Sequence, residues 1–109
     1  MEELESVEVG LSIEQSADPA GDPMITLAGE LDISNADAFR EIVEKVVEGR
    51  PGRLVFDLSQ LAFMDSSGIA VMVYAANNVE GIELRHASAI IRRVVEATGL
   101  SEILPFGAS

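Results

Sequence analysis

The 109-residue sequence contains no cysteine and a single histidine, His86. Without cysteine the chain has no disulfide bond, no thiolate ligand for a metal and no cysteine nucleophile. One histidine leaves few of the nitrogen and sulfur ligands that transition metals prefer. The sequence therefore predicts no metal site and indicates no other cofactor.

Long apolar runs and a basic leader are missing as well. The longest unbroken apolar run covers residues 69–76 and is far too short to cross a bilayer. The first residues, Met1-Glu2-Glu3-Leu4-Glu5, are acidic and lack the basic region that begins a secretory signal peptide. We therefore expect a cytoplasmic protein that has no membrane partner.

Basic residues are scarce: seven lysines and arginines stand against 19 aspartates and glutamates, and the net charge is −12. Nucleic acid and anionic membranes would both repel such a chain, so neither is expected as a direct partner. A basic partner surface would fit this charge, but solubility explains it more simply, because net charge acts on solubility before it selects partners.

The apolar share of 48% is sufficient for the core of one compact domain. At the start of the chain, Val7, Val9, Leu11 and Ile13 alternate with other residues and predict one half-buried strand. Residues 24–29 predict a second strand, antiparallel to the first. Two further strands are predicted over residues 54–56, as a central strand buried on both faces, and over residues 82–85.

Helical spacing of apolar residues occurs three times. The first predicted helix ends at Gly49, and Ser34 with Asp37 resembles a capping box at its start. The second begins near Ser66, and the third ends at Gly99. The apolar residues that carry the spacing are Phe39, Ile42, Val43, Val46 and Val47; Ile69, Met72, Val73 and Ala76; and Ile91, Val94 and Val95.

This order of elements, followed by one last turn over residues 101–104, predicts an α/β fold. The sheet is expected to be mixed, with four or five strands, and the helices should pack mainly on one face. Crossovers between the parallel strands should be right-handed. The side chains expected in the core are Phe39, Val43, Val55, Phe56, Ile69, Val73, Ile91 and Val95.

The segment that suggests chemistry is Asp65-Ser66-Ser67-Gly68, where the second helix begins after the central strand. A phosphate on Ser66 would be stabilised by the free N–H groups and the positive dipole of the helix start. Asp65 could orient the Ser66 hydroxyl for attack on a phosphoryl donor, and Gly68 would let another molecule approach. Taken alone, these four residues are explained more simply as a helix cap.

Four short elements, taken in order, resemble the STAS domain family, in particular the bacterial anti-sigma factor antagonists. They are Gly29-Glu30-Leu31-Asp32, Asp57-Leu58-Ser59, residues 63–68, and Ala97-Thr98-Gly99-Leu100. The resemblance extends over residues 24–106, nearly the whole chain. It implies a single STAS domain over residues 1–109, with a core from about residue 7 to residue 106.

The resemblance also implies a phosphorylation switch. Antagonists of this family bind an anti-sigma factor that is also a serine kinase, and thereby free the sigma factor. The kinase phosphorylates the serine after the aspartate, here Ser66, and a PP2C-like phosphatase reverses the reaction. The family's aspartate near this serine corresponds to Asp32, although a strand end before a turn explains Asp32 equally well.

The expected partner-binding residues are Asp32, Asp65, Ser66, Ser67, Gly68, Val71 and Tyr74. Val71 and Tyr74 lie off the apolar stripe of the second helix, so they either face a partner or are covered by neighbouring elements. Residues 68–81 are about four residues shorter than is usual for the family, roughly one helical turn.

Two other functions compete with this one. The chain could be a STAS subunit of a lipid-transport or stress-signalling complex that is not controlled by phosphorylation. An enzyme is disfavoured, because the sequence has neither a Walker loop nor a histidine paired with a carboxylate, and we expect no catalytic residues.

Overall fold

The computed structural model describes residues 4–107 and contains five strands and three helices in that part of the chain. Along the chain the order is β-β-β-α-β-α-β-α. The elements are β1 (Leu4–Glu8), β2 (Leu11–Ala17), β3 (Pro23–Leu31), α1 (Ala36–Glu48), β4 (Arg53–Met64), α2 (Ser66–Asn78), β5 (Gly81–Arg85) and α3 (Ala89–Ala97).

The five strands form one mixed sheet in the order β1-β2-β3-β4-β5. The β1–β2 and β2–β3 pairs are antiparallel, whereas β3–β4 and β4–β5 are parallel. The predicted α/β class and the mixed sheet are therefore confirmed. Parallel neighbours also place the carboxyl ends of β3 and β4 at the same edge of the sheet.

The three helices cover one face of this sheet. Phe56 has Ile25 and Leu84 as its register partners, and all three side chains are buried in one cluster with buried residues from each helix. The ring of Phe39 on α1 meets Phe56 edge to face, with 5.9 Å between ring centroids. The opposite face carries half-buried polar residues such as Glu83. The predicted one-sided arrangement is confirmed.

The predicted first strand is two strands. β1 and β2 are joined by a tight turn at Val9 and Gly10, and Gly10 has a φ of +74°, which glycine adopts without steric cost. Val7 and Val9 are 71% and 77% exposed, so they do not belong to the core. The alternation of apolar residues continues through the two-residue turn, so the sequence pattern did not show that the chain reverses direction there.

β4 is longer than its apolar run suggested. It spans 12 residues and includes Asp57 and Ser59, which were expected to follow the strand. The Asp57 carboxylate accepts a hydrogen bond from the Ser59 amide at 3.0 Å. Pairing with β3 is irregular near Ala28 and Gly29, so a polar segment is accommodated without ending the strand.

The chain after α3 forms a turn over residues 101–104 and then an extended segment, with no further helix in the described residues. Phe106 forms a parallel bridge with Leu84 at the outer edge of β5: the Leu84 amide donates a hydrogen bond to the Pro105 carbonyl at 2.9 Å, and the Leu84 carbonyl accepts one from the Gly107 amide at 2.8 Å. The Arg92 guanidinium lies 4.5 Å from the centroid of the Phe106 ring. This segment covers one edge of the sheet.

The buried face of α2 differs from the predicted stripe. Ile69 and Met72 are buried as expected, but Val73 is only half-buried, and Val71 and Ala75 take its place in the core. The other residues expected in the core are buried: Phe39, Val43, Val55, Phe56, Ile91 and Val95.

Candidate functional site

The carboxyl ends of β3 and β4 bring two aspartate-containing segments together. Leu31, the last residue of β3, is the register partner of Met64, the last residue of β4. The Asp65 amide donates a hydrogen bond to the Leu31 carbonyl at 3.2 Å. The loop that begins at Asp32 therefore adjoins the start of α2, and the structure brings these two predicted segments to one edge.

Asp65, not Ser66, is the N-cap of α2. Its carboxylate accepts a hydrogen bond from the Ser67 amide at 2.8 Å, and its backbone is extended, as is usual for a cap. Ser66 is the first residue of the helix, and its side chain is exposed. The simpler explanation of this motif as a helix cap thus applies to Asp65 and leaves the Ser66 hydroxyl accessible from solvent.

Gly68 has a structural role that the sequence did not indicate. It is buried, and a Cβ atom at this position would lie only 2.5 Å from Cδ2 of Leu31 and 3.0 Å from Cγ of Met64. The missing side chain lets the first turn of α2 approach the ends of β3 and β4. The expectation that Gly68 opens the rim for another molecule was wrong, because the protein itself fills that space.

The loop after β3 is held by Asp32. Its carboxylate accepts hydrogen bonds from the Ser34 amide at 2.9 Å and from the Ser34 hydroxyl at 2.5 Å. The bond from the Ser34 hydroxyl, followed by that from its amide, lowers the pKa of Asp32 below its ordinary value of 3.8. The predicted capping box of Ser34 with Asp37 was wrong: Asn35 is the N-cap of α1, and no side chain caps this helix.

Asn35 organises the same loop, and the sequence analysis did not select it. It is 2% exposed, and its Oδ1 accepts a hydrogen bond from the Asp32 amide at 3.0 Å. Its Nδ2 donates to the carbonyls of Val9, at 2.7 Å, and Glu30, at 2.9 Å. The side chain thus ties the β1–β2 turn, the end of β3 and the loop into one unit.

Large apolar side chains are exposed in the segments that meet at this edge of the sheet, and the sequence analysis missed their exposure. Ile33 in the loop is 82% exposed, Phe63 near the end of β4 is 43% exposed, and Val9 in the β1–β2 turn is 77% exposed. Val9 belonged to the alternating pattern of the predicted first strand, Phe63 lies within β4, and Ile33 lies in no predicted element, so no shared pattern in the sequence identifies them. We call Val9, Asp32, Ile33, Phe63 and Ser66 the serine surface.

The two residues expected on the outward side of α2 behave differently. Val71 is 2% exposed and belongs to the core, so the expectation that it faces outward was wrong. Tyr74 is half-buried, and the guanidinium of Arg40 on α1 lies 5.0 Å from the centre of its ring. Neighbouring elements therefore cover much of the apolar excess of α2, which was the alternative interpretation.

Among residues 4–107, no cluster of three or more carboxylate or histidine side chains is arranged to hold a metal ion. Across the same residues, no helix is long and apolar enough to cross a membrane. The groups available for binding at this edge of the sheet are the Ser66 hydroxyl, the carboxylates of Asp32 and Asp65, and the exposed apolar side chains.

Comparisons with known proteins point to one family. Residues 14–109 match the family model of the STAS domain. Rv2638 of Mycobacterium tuberculosis, whose name describes an anti-anti-sigma factor, is 35% identical over 88 residues, which are 75% of this chain and 60% of that protein. The anti-sigma F factor antagonist of Paenibacillus polymyxa is 31% identical over 87 residues, 75% of this chain and 74% of that protein. The chain thus spans less than two thirds of the length of Rv2638.

Two solved proteins share the fold. The crystal structure of an anti-sigma factor antagonist from Mycobacterium paratuberculosis has a TM-score of 0.83 at 24% identity, covering 95% of this chain and 91% of that one. SpoIIAA in its unphosphorylated form has a TM-score of 0.74 at 20% identity and covers 89% of each chain. SpoIIAA has also been solved in its phosphorylated form, from Bacillus, with a TM-score of 0.67 at 22% identity, covering 89% of this chain and 92% of that one.

Proposed function

The chain belongs to the STAS domain family, and on this basis we propose that it is an anti-sigma factor antagonist controlled by phosphorylation of Ser66. In the unphosphorylated state it binds an anti-sigma factor serine kinase and so releases a sigma factor in the cytoplasm. The kinase then phosphorylates Ser66, and a PP2C-like phosphatase restores the active form. The relatives are named as antagonists, which are regulatory binding proteins and not enzymes.

The observation that carries this proposal is the position of Ser66. Its side chain is exposed on the first residue of α2, while the neighbouring Asp65 and Ser67 are joined to each other by the cap hydrogen bond. A kinase can reach this hydroxyl without opening the helix. Ser67 is half-buried in the first turn, so it serves as the matched control.

The serine surface has the chemistry of a docking site. Ile33, Phe63 and Val9 offer exposed apolar area at the edge of the sheet where α2 begins, and Asp32 adds a carboxylate whose ionised form is favoured by the hydrogen bond from the Ser34 hydroxyl. Interfaces of this type combine apolar anchors with a charged rim. We assign partner contact to Asp32, Asp65, Ser66 and Ser67, with Tyr74 at the margin; Gly68 and Val71 support the surface from within.

Phosphate on Ser66 should act on the interface and leave the fold intact. It adds about −1.5 to −2 charge at neutral pH. The start of α2 stabilises that charge by roughly 0.3–1 kcal/mol, so the free protein tolerates it. In the complex the dianion would have to lose its water among apolar side chains and beside Asp32 and Asp65. A loss of about 3 kcal/mol weakens binding by roughly a hundredfold, enough for a switch.

The experiment combines phosphosite mapping with binding. The wild-type chain and three variants are mixed with an anti-sigma factor kinase and ATP, and intact mass, the modified residue and the dissociation constant are measured. Ser66→Ala should remain bound and unmodified, Ser67→Ala should still accept phosphate, and Ser66→Asp should be folded but bind poorly. Phosphate found on Ser67 in the wild type would contradict the mechanism, as would equal binding by phosphorylated and unphosphorylated protein.

A further inference from the structure

The two edge strands of the sheet differ in whether another segment pairs with their outer side. At β5 the segment from Pro105 to Gly107 is hydrogen-bonded to Leu84 and occupies the outer edge. β1 is the other outermost strand, and in the described part of the chain nothing pairs with its outer side. Unpaired strand edges expose N–H and C=O groups that can accept another strand. β1 (Leu4–Glu8) also lies outside the residues that match the STAS family model, 14–109.

The geometry of the β1–β2 hairpin identifies which backbone groups point outward. Glu8 and Leu11 flank the two-residue turn and are register partners, which makes them a hydrogen-bonded pair. Hydrogen-bonded and non-hydrogen-bonded pairs alternate along antiparallel strands. Ser6 therefore bonds toward β2, whereas the N–H and C=O groups of Glu5 and Val7 point away from the sheet.

The exposed side chains of β1 favour a partner strand with basic side chains. Glu5 and Glu8 are exposed, and Val7 between them is 71% exposed. Two β1 strands could pair only through the outward groups of Glu5 and Val7, which sets Val7 opposite either Val7 or Glu5 of the other copy. Neither arrangement brings a basic side chain against Glu5 or Glu8, and each copy carries a net charge of −12, so two copies repel one another. A second copy is therefore a poor occupant.

We propose that the outer edge of β1 binds an extended, basic segment of a partner protein by strand addition. The outward backbone groups of Glu5 and Val7 supply the hydrogen bonds, and lysine or arginine side chains of the segment lie opposite Glu5 and Glu8. Apolar residues of the segment cover Val7. This surface does not contain Ser66, so the interaction is independent of the phosphorylation switch.

The test uses a synthetic peptide that repeats lysine, valine and threonine in that order, so that lysines can lie opposite Glu5 and Glu8 and a valine opposite Val7. The control is the same peptide with every backbone amide N-methylated. Methylation removes the N–H donors of the peptide without changing its charge. If the peptide binds by strand addition, the dissociation constant of the methylated peptide should therefore be at least tenfold higher. Hydrogen exchange should show slowed exchange at the amides of Glu5 and Val7 with the unmodified peptide alone. Equal affinity for both peptides would reduce the interaction to general charge attraction and overturn the proposal.

Variants of β1 give a second readout. Val7→Pro removes one outward N–H group at an edge position that tolerates proline, and should weaken peptide binding about tenfold, whereas Val7→Thr should not. Glu5→Lys with Glu8→Lys should transfer the preference to the peptide in which glutamate replaces every lysine. Ser66→Asp should leave peptide binding unchanged. Sedimentation that reveals a dimer of the wild-type chain, with the Glu5 and Val7 amides protected in it, would contradict the basic partner and assign the edge to a second copy.

Discussion

At Gly68 the first turn of α2 lies closer to the sheet than any side chain would allow. Leu31 and Met64, the side chains that such a Cβ atom would meet, are both fully buried in the core. We expect Gly68→Ala to reduce the free energy of unfolding by about 1–3 kcal/mol, as overpacking does in a dense core. Urea denaturation followed by circular dichroism measures this loss.

The matched control is Gly81→Ala. A Cβ atom there meets no heavy atom within 4 Å, so this change should alter the free energy of unfolding by less than about 0.5 kcal/mol. Equal stability of Gly68→Ala and the wild type would mean that α2 does not depend on this close approach.

Asn35 makes the second residue-level prediction. Asn35→Ala removes a buried amide and leaves its partly buried partners, the carbonyls of Val9 and Glu30, without their donor. The expected cost is about 1–3 kcal/mol of the free energy of unfolding, because an unsatisfied buried polar group keeps its desolvation penalty. Asn78→Ala, which removes an exposed bond to the Tyr74 carbonyl, should cost far less in the same urea titration. Similar losses in the two variants would contradict the role of Asn35.

Gly68 and Asn35 show which features of the site could not be predicted from the sequence. Asp65 and Ser66 were recognisable because their roles depend on neighbours within one helical turn. Asn35 acts on Val9, 26 positions earlier in the chain, and Gly68 acts by the absence of atoms near Leu31. Neither relation leaves a local pattern, so only the packed structure reveals them.

At the level of single elements, α2 depends on its cap, and charge and hydrogen bonding can be separated there. Asp65→Asn keeps an oxygen that accepts from the Ser67 amide and should change the free energy of unfolding by no more than about 0.5 kcal/mol. Asp65→Ala removes the acceptor and should cost about 0.5–2 kcal/mol. Thermal unfolding of both variants measures the difference. If Asp65→Ala were as stable as Asp65→Asn, the hydrogen bond from the Ser67 amide to Asp65 would not contribute to the stability of α2.

Helices were easier to predict than strands, for physical reasons. The period of α1 and α3 was clear because each has one apolar face and one polar face. α2 is apolar nearly all round, because α1, β4 and β5 all contact it, so its spacing could not distinguish Val71 from Val73. The β1–β2 reversal was invisible because alternation continues through a two-residue turn, and only Gly10 marked it.

For the whole molecule, the topology was the most predictable feature. Strands alternating with helices after an opening antiparallel pair leave few arrangements, and right-handed crossovers set α1 and α2 on the same face. The pairing of charged side chains on the sheet face without helices was less predictable. Arg85 pairs there with Asp18 at 3.2 Å and with Glu83 at 3.1 Å, and Arg53 pairs with the same Glu83. Glu83 and Arg85 share this face because they are two residues apart in β5, whereas Asp18 and Arg53 are distant in sequence and meet them only after folding.

Asp18 makes the stability of the whole domain depend on pH. Its carboxylate accepts hydrogen bonds from the amides of Asp22, at 2.9 Å, and Ala20, at 3.0 Å, and pairs with Arg85. The hydrogen bond from the Asp22 amide has the largest effect and lowers the pKa of Asp18, whereas burial, the next largest, raises it. Arg85 and the bond from the Ala20 amide lower it further, so the pKa lies below its ordinary value of 3.8. The folded chain therefore binds this proton less readily than the unfolded chain does.

The direction of the pH effect follows from that difference. Because the folded pKa is the lower one, the stabilising contribution of Asp18 is complete above pH 3.8 and is lost as the pH falls below that value. Asp32, whose pKa is also lowered, contributes in the same direction. Asp18→Asn cannot titrate, so its urea midpoint should fall less steeply than that of the wild type between about pH 5 and about pH 2.5. Parallel curves for the two proteins would show that Asp18 does not govern acid unfolding, and Asp32→Asn would then be compared in the same way.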